Sequence, residues 1–225
     1  MSVVHENNIY DLEEIVCAFY EKGLKEFSLL PLLDFDEKNK GKLLRNTKVF
    51  AEKIWDLNLK LYERYYFNRS EAISQRDVAL CFHYLVQSER SFMCNRGPCG
   101  AGINIISISP KGEVYPCFGF QSIKEFLLGN INDLNFVFSR IHEKPIMEEL
   151  RRRNDSIEDC KECDYNIWCY GGCPSNAFLG IGNIKGRDII RCTINKYLIK
   201  RSLEYIIENK EENSYIKNIA REWRK

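Results

Sequence analysis

The chain has 225 residues, a formal net charge of +1, 44% hydrophobic and 12% aromatic residues, and ten cysteines. That composition can bury a core and excludes a disordered tail, and the balanced charge argues against a nucleic-acid partner. No apolar run reaches membrane-spanning length and Met1-Ser2-Val3-Val4-His5 has no signal-peptide character, so the expected compartment is a reducing cytoplasm.

The chain opens with a strand-like run, Ser2 to Glu6, followed by polar Asn7 and Asn8. An amphipathic helix follows, with Leu12, Ile15, Val16, Phe19 and Tyr20 on one face, Asp11 as N-cap and Gly23 as its stop. Glu26 to Leu32 reads as a buried strand, which completes a βαβ unit and implies parallel pairing. After a charged loop, Asp34 to Gly41, a second helix carries Leu43, Leu44, Phe50, Ile54 and Trp55. Leu59 to Phe67 alternates in part and reads as extended. Ser70 or Ser74 starts a third helix with Val78, Cys81, Phe82 and Leu85 facing inward.

The character changes near residues 88–93, where a domain boundary is expected. Ile103–Ser109 and Glu113–Cys117 flank Pro110-Lys111-Gly112 and predict a β-hairpin. A helix is expected from about Asn135 to Arg152 and a last one from Cys192 to about Glu208. The basic run Arg151-Arg152-Arg153, bracketed by Glu148, Glu149, Asp155, Glu158 and Asp159, reads as a solvated helix end.

Eight cysteines carry the chemistry: Cys94, Cys99, Cys117, Cys160, Cys163, Cys169, Cys173 and Cys192. Thiolates are soft ligands, and short gaps let one loop aim several sulfurs at one centre. In a reducing compartment metal ligation is favoured over disulfides. Zinc remains an alternative, but only Cys160 and Cys163 form the two-residue-gap pair common in zinc sites. An all-thiolate supply suits iron–sulfur clusters. Cys17 and Cys81 have no ligand spacing and read as packing residues. His5, His83 and His142 show no ligand spacing either.

The run Cys99-x12-Gly112-x4-Cys117, then Cys160-x2-Cys163-x5-Cys169-x3-Cys173, then Cys192, resembles the SPASM signature. Cys-Gly-Ala-Gly at 99–102, Pro-Lys-Gly-Glu-Val-Tyr-Pro-Cys at 110–117, Leu-Gly-Asn-Ile at 128–131 and Cys-Tyr-Gly-Gly-Cys-Pro at 169–174 agree with it. SPASM domains are C-terminal, twitch-type auxiliary-cluster extensions of radical S-adenosylmethionine (SAM) enzymes that modify peptides and proteins. The resemblance implies two 4Fe–4S clusters, one on Cys94, Cys99, Cys117 and Cys173, the other on Cys160, Cys163, Cys169 and Cys192. Cys94 lies outside the seven-cysteine signature; without it the first cluster would keep an open iron.

The implied fold is mixed α/β and α+β. Residues 1–90 would be the C-terminal portion of a partial (β/α) radical SAM barrel, 91–208 the SPASM domain, and 209–225 a charged tail. The radical-generating pattern Cys-x3-Cys-x2-Cys does not occur in the chain. The expectation is therefore a fragment or subunit that needs an N-terminal radical SAM half to use SAM, and that is inactive alone. A non-catalytic module that docks a peptide or partner is the alternative.

By analogy with barrel sites, Asn7 and Asn8 would approach the cofactor, although turn roles are commoner for such residues. Tyr115 and Phe118 flank Cys117 and would line a substrate pocket or pack on the cluster; Trp168 would shield it. Sulfatase-maturing relatives carry an Asp where this chain has Phe118, which argues against formylglycine formation. Cys-Gly-Ala-Gly with Tyr-Pro-Cys looks more like maturases that crosslink ribosomally made peptides, for instance through thioethers.

Overall fold

The computed structural model describes residues 2–24, 26–32, 46–67, 74–86 and 99–209. The Asp34–Gly41 loop, Leu43, Leu44, Ser70, Cys94 and the tail beyond residue 209 lie outside them. The chain divides into two compact units, Met1–Glu89 with Thr193–Lys225, and Arg90–Cys192.

In the first unit, β1 (Ser2–Val4) leads through turns into α1 (Leu12–Tyr20), then β2 (Glu26–Phe27) and β3 (Leu29–Pro31). β1 and β3 pair in parallel, Ser2 opposite Leu29 and Val4 opposite Pro31, so the βαβ unit forms. The strand expected over Glu26–Leu32 is split, because β2 pairs in parallel with a different partner, β4 (Ser74–Gln75). Asp11 precedes α1 but its side chain makes no capping bond; Glu13 and Glu14 in the first turn meet the helix dipole instead. Leu12 and Val16 are buried, whereas Phe19 leaves the expected stripe and is exposed. Gly23, at φ +88°, ends the helix region and donates to Tyr20 O at 2.8 Å.

α2 (Thr47–Leu61) is capped by Asn46, whose side chain accepts from Val49 N at 3.1 Å. It buries Phe50, Ile54, Trp55, Leu57, Asn58 and Leu61. Tyr62–Phe67 continues as a π-helix, so the extended segment expected over Leu59–Phe67 is helical instead. The aromatic alternation there is a local preference, and the buried stripe at Trp55, Asn58 and Leu61 overrides it at helical spacing. α3 (Arg76–Val86) starts after β4, and Gln75 Oε1 accepts from Val78 N at 2.9 Å. The cap is therefore Gln75, while Ser74 belongs to the strand. Val78 and Phe82 are buried as expected, Cys81 and Leu85 only partly. Trp55, Phe82 and Tyr205 form an aromatic cluster with centroids 5.8–6.1 Å apart.

The second unit holds an antiparallel sheet of β5 (Ser107–Ile108), β6 (Glu113–Tyr115) and β7 (Gly129–Asn130), in that order. The predicted hairpin is present, and Gly112 at φ +81° closes it by donating to Ser109 O at 2.9 Å. Its first strand is shorter than expected because Gly100–Ile105 is a turn, with Asn104 N donating to Gly100 O at 2.8 Å.

The single helix expected from Asn135 to Arg152 is a 3-10 helix over Phe138–Glu143 followed by α4 (Pro145–Ser156). Pro145 forces the break: it sits at the helix start and holds Lys144 extended, at φ −68° and ψ 133°. α5 (Asn166–Cys169), α6 (Pro174–Ile181) and α7 (Ile189–Glu208) follow, α7 beginning ahead of the expected Cys192. The core gathers Val114, Tyr115, Phe120, Phe126, Leu128, Met147 and Leu150, with Cys99 and Cys117 packed against it. Phe120 stacks on Phe126 at 4.0 Å, 25° from parallel. Among the described residues no helix is long and apolar enough to cross a membrane.

Candidate metal centre

The thiol-bearing loop is built from tight turns that leave its sulfurs on short tethers. Cys163 N donates to Cys160 O at 3.3 Å, and Asn166 N to Cys163 O at 2.8 Å, which leads directly into α5 and Cys169. Tyr170, Gly171 and Gly172 then take left-handed φ values of 54°, 70° and 75°. A left-handed run of this kind reverses the chain within three residues, and glycine adopts it without a Cβ penalty. Cys173 emerges as the N-cap residue of α6, whose first residue is Pro174. Its sulfur lies 3.0 Å from Ser175 Oγ in hydrogen-bond contact.

Two buried charged side chains frame that loop. Asp188 Oδ2 accepts from Cys173 N at 3.1 Å and from Asn176 Nδ2 at 3.0 Å, and its Oδ1 accepts from Arg191 N at 2.9 Å. Its own carbonyl accepts from Cys192 N at 2.8 Å. One carboxylate thus ties the Cys173 turn to the start of the helix that carries Cys192, and caps that helix.

Arg153 is only 3% exposed and corrects the expectation of a solvated basic run. Its Nε donates to Ile184 O. Nη1 donates to Tyr170 O at 3.4 Å and Gly172 O at 3.2 Å, and Nη2 to Gly171 O at 3.0 Å and Gly186 O at 2.7 Å. Neighbouring Arg152 remains outside, paired with Glu148 at 3.2 Å.

The thiols sort electrostatically into two neighbourhoods. Burial pushes the Cys117 thiol up to about 12, and the nearby Cys173 and Cys99 add to the rise, while backbone hydrogen bonds from Gly119 and Phe120 oppose it. The buried Cys160 thiol is also raised, first by burial, then by Cys169, Cys192 and Cys163, with Arg153 acting the other way. Burial lowers the Arg153 pKa, whereas Cys173, Asp188, Cys99 and Cys160 oppose that shift. Arg153 thus faces members of both neighbourhoods.

The described cysteines are thiols. Among the described residues no three His, Cys, Asp or Glu side chains converge on a single-ion position. A zinc ion at about 2.3 Å from each sulfur draws its ligands into one tight tetrahedron. A four-iron cluster takes each thiolate on a different iron and asks for a wider ring. Gly119 packs closely beside this group: a Cβ there would stand 2.3 Å from Ser175 Oγ and 3.6 Å from Cys117 Sγ.

The other sequence candidates fall differently. Asn8 closes a turn, accepting from His5 N at 2.9 Å and donating to Val3 O at 3.1 Å, and Asn7 N donates to His5 Nδ1 at 3.1 Å. Their hydrogen bonds are those of a turn. Tyr115 is buried in the core of the second unit. Phe118 is 71% exposed. Trp168 is half-buried in α5, and Cys94 lies outside the described residues. Arg153 and Asp188 are the residues that the sequence analysis passed over.

Residues 99–164 match the SPASM family model, described as an iron–sulfur cluster-binding domain. That stretch is similar to a SPASM domain. It is 27% identical over 115 residues to the PqqA peptide cyclase of Gluconobacter oxydans, covering 50% of this chain and 31% of that protein. It is 26% identical over 176 residues to a cysteine-type anaerobic sulfatase-maturating enzyme of Clostridium perfringens, covering 77% of this chain and 45% of the relative. The fold resembles a solved structure of anSMEcpe with bound AdoMet, at TM-score 0.73 and 21% identity over 97% of this chain and 56% of that one. The chain spans less than half the length of these curated relatives. Kinship with radical SAM peptide and protein maturases, expected from the cysteine spacing, is borne out.

Proposed function

We propose that this chain is the cluster-bearing part of a radical SAM enzyme that modifies a ribosomally made peptide or protein. The observation that carries the proposal is the sorting of the thiols. Cys117 senses Cys99 and Cys173, while Cys160 senses Cys163, Cys169 and Cys192. Cys173 would then leave its loop neighbours for the upstream group, as the SPASM resemblance implies; the electrostatic influence of Cys173 on Cys117 supports it. On this reading Cys99, Cys117 and Cys173, with Cys94, hold one 4Fe–4S cluster. Cys160, Cys163, Cys169 and Cys192 hold the other.

Bound clusters supply one-electron transfer or a site for a substrate group, over a potential range of roughly −700 to +450 mV. The chain's own residues do the rest. The left-handed turn at 170–172 reverses the chain between Cys169 and Cys173, and Asp188 fixes Cys173 against the start of α7. The stacked Phe120 and Phe126 back the Cys99 and Cys117 side with apolar surface that excludes water. Phe118 projects toward solvent beside Cys117, where a substrate peptide would find an aromatic side chain and no carboxylate. That arrangement favours crosslinking or another peptide modification over formylglycine formation. The radical would be generated by an N-terminal radical SAM half bearing Cys-x3-Cys-x2-Cys, and SAM would bind there.

The deciding measurement is iron, acid-labile sulfide and zinc per chain after anaerobic reconstitution. About eight irons and eight sulfides are expected, two four-iron clusters' worth. Zinc without sulfide would overturn the reading and leave a zinc-bound structural module.

A further inference from the structure

We propose that Arg153 is a positioning residue that shares one buried positive charge between the two thiol neighbourhoods and raises the reduction potential of both centres. The inference rests on the cluster reading above and deepens it.

The geometry begins with what the guanidinium touches. Its hydrogen bonds run to five backbone carbonyls, those of Tyr170, Gly171, Gly172, Ile184 and Gly186. An arginine side chain has five N–H donors, so the fork can be fully used. All five acceptors are formally neutral, and none cancels the charge. A cation buried this deeply is costly unless anions stand nearby. The acidic groups that act on it are Asp188 and the thiols of Cys173, Cys99 and Cys160, which become anionic when they bind metal. Cys99 and Cys173 belong to one neighbourhood and Cys160 to the other. Asp188 supplies one negative charge, and thiolates holding clusters supply the remainder.

Three of the five carbonyls belong to the turn between Cys169 and Cys173, the segment whose two cysteines would serve different clusters on the reading above. The fork therefore clamps the crossing point while its charge faces both sides. A four-thiolate iron–sulfur centre is anionic and gains one further negative charge when it accepts one electron. A fixed cation next to it favours the reduced form. Lysine at this position would keep the charge but lose the planar fork; glutamine would keep polarity and lose the charge.

The test is a redox titration of the anaerobically reconstituted 225-residue chain, followed by electron paramagnetic resonance, with iron and sulfide counted for every variant. An external reductant supplies the one electron each centre accepts. Arg153→Gln is expected to make both centres about tenfold harder to reduce, a midpoint lower by about 59 mV for a one-electron couple. Arg153→Lys is expected to stay within about twofold of the parent if its iron loads, whereas Asp188→Asn is expected to shift the midpoints upward. Unchanged midpoints in a fully loaded Arg153→Gln variant overturn the proposal. So does an Arg153→Lys shift as large as that of Arg153→Gln, since the cause would then be the fork and not the charge. If Arg153→Gln takes up no iron, the sign of the Asp188→Asn shift decides, and a shift downward or none overturns it. A parent chain that takes up no iron or sulfide overturns the cluster reading itself, an outcome visible before any variant is compared.

Discussion

Gly172 and Gly182 form a matched pair within one unit, because they share a backbone conformation and differ in what surrounds them. Their φ values are +75° and +73°. An alanine in the left-handed region costs about 1–2 kcal/mol at either position. Part of that returns, about 0.4–1 kcal/mol, from the reduced entropy of the unfolded chain. At Gly182 nothing lies within 4 Å of an added Cβ, so Gly182→Ala is expected to cost about 1 kcal/mol and no more. At Gly172 the same Cβ would stand 2.7 Å from Asp188 Cβ and 3.2 Å from Arg191 Cβ. Asp188 cannot retreat easily, since its carboxylate is held by Cys173, Asn176 and Arg191. Overpacking of this kind costs about 1–3 kcal/mol more. Gly172→Ala is therefore expected to lie about 1–3 kcal/mol below Gly182→Ala and to lose iron in parallel. Urea unfolding of anaerobically purified chains, with circular dichroism as probe and the slope held fixed, measures the difference. Equal midpoints for the two variants would refute the claim that the Cys169–Cys173 turn is packed against Asp188.

Asn46→Ala removes the side-chain acceptor for Val49 N and is expected to cost about 1 kcal/mol in thermal or urea unfolding, with Asn46→Asp largely spared. Phe120→Ala, at a fully buried position stacked on Phe126, is expected to cost about 3–5 kcal/mol and to weaken retention of the cluster on the Cys99 and Cys117 side. In the metal-free chain Cys117 titrates at about 12 instead of its ordinary 9.0. The unfolded chain gives up that proton first, so the contribution is intact below about pH 9 and is lost as the pH rises toward 12, at no more than about 1.4 kcal/mol per pH unit. Cys117→Ser should flatten that alkaline loss relative to the parent, measured by urea midpoints across the range.

The first βαβ unit and the hairpin were legible because each rests on a local signal: apolar runs separated by a helix with Gly23 at its end, and Pro110-Lys111-Gly112 between two short strands. The segments that differed did so where a long-range partner or a single backbone constraint outweighed composition. Glu26–Leu32 is a short, mostly apolar run interrupted only by Glu26 and Ser28, and nothing in it tells that its two halves bond to strands far apart in the chain. Leu59–Phe67 has the aromatic content of a strand, yet it follows directly from a helix whose buried stripe runs on to Leu61. Pro145 was available as a stop signal inside the helix expected over Asn135–Arg152. The residue before a proline avoids the helical region, and the chain breaks at Lys144 accordingly.

The thiols announced themselves by spacing, but the polar frame that holds them did not, because a charge run looks solvated when only its neighbours in sequence are weighed. Arg151, Arg152 and Arg153 are chemically alike and sit in an acidic surrounding. What separates them is phase. Met147, Leu150, Arg153 and Ile157 follow one another at spacings of three, three and four residues, and all four are buried. An arginine on the apolar stripe of a helix is a costly residue unless the fold supplies acceptors and anions for it. Here the acceptors are the carbonyls of the very turn that separates Cys169 from Cys173. Charge on the wrong face of a helix was thus the one sign in the sequence that something beyond thiols converges there.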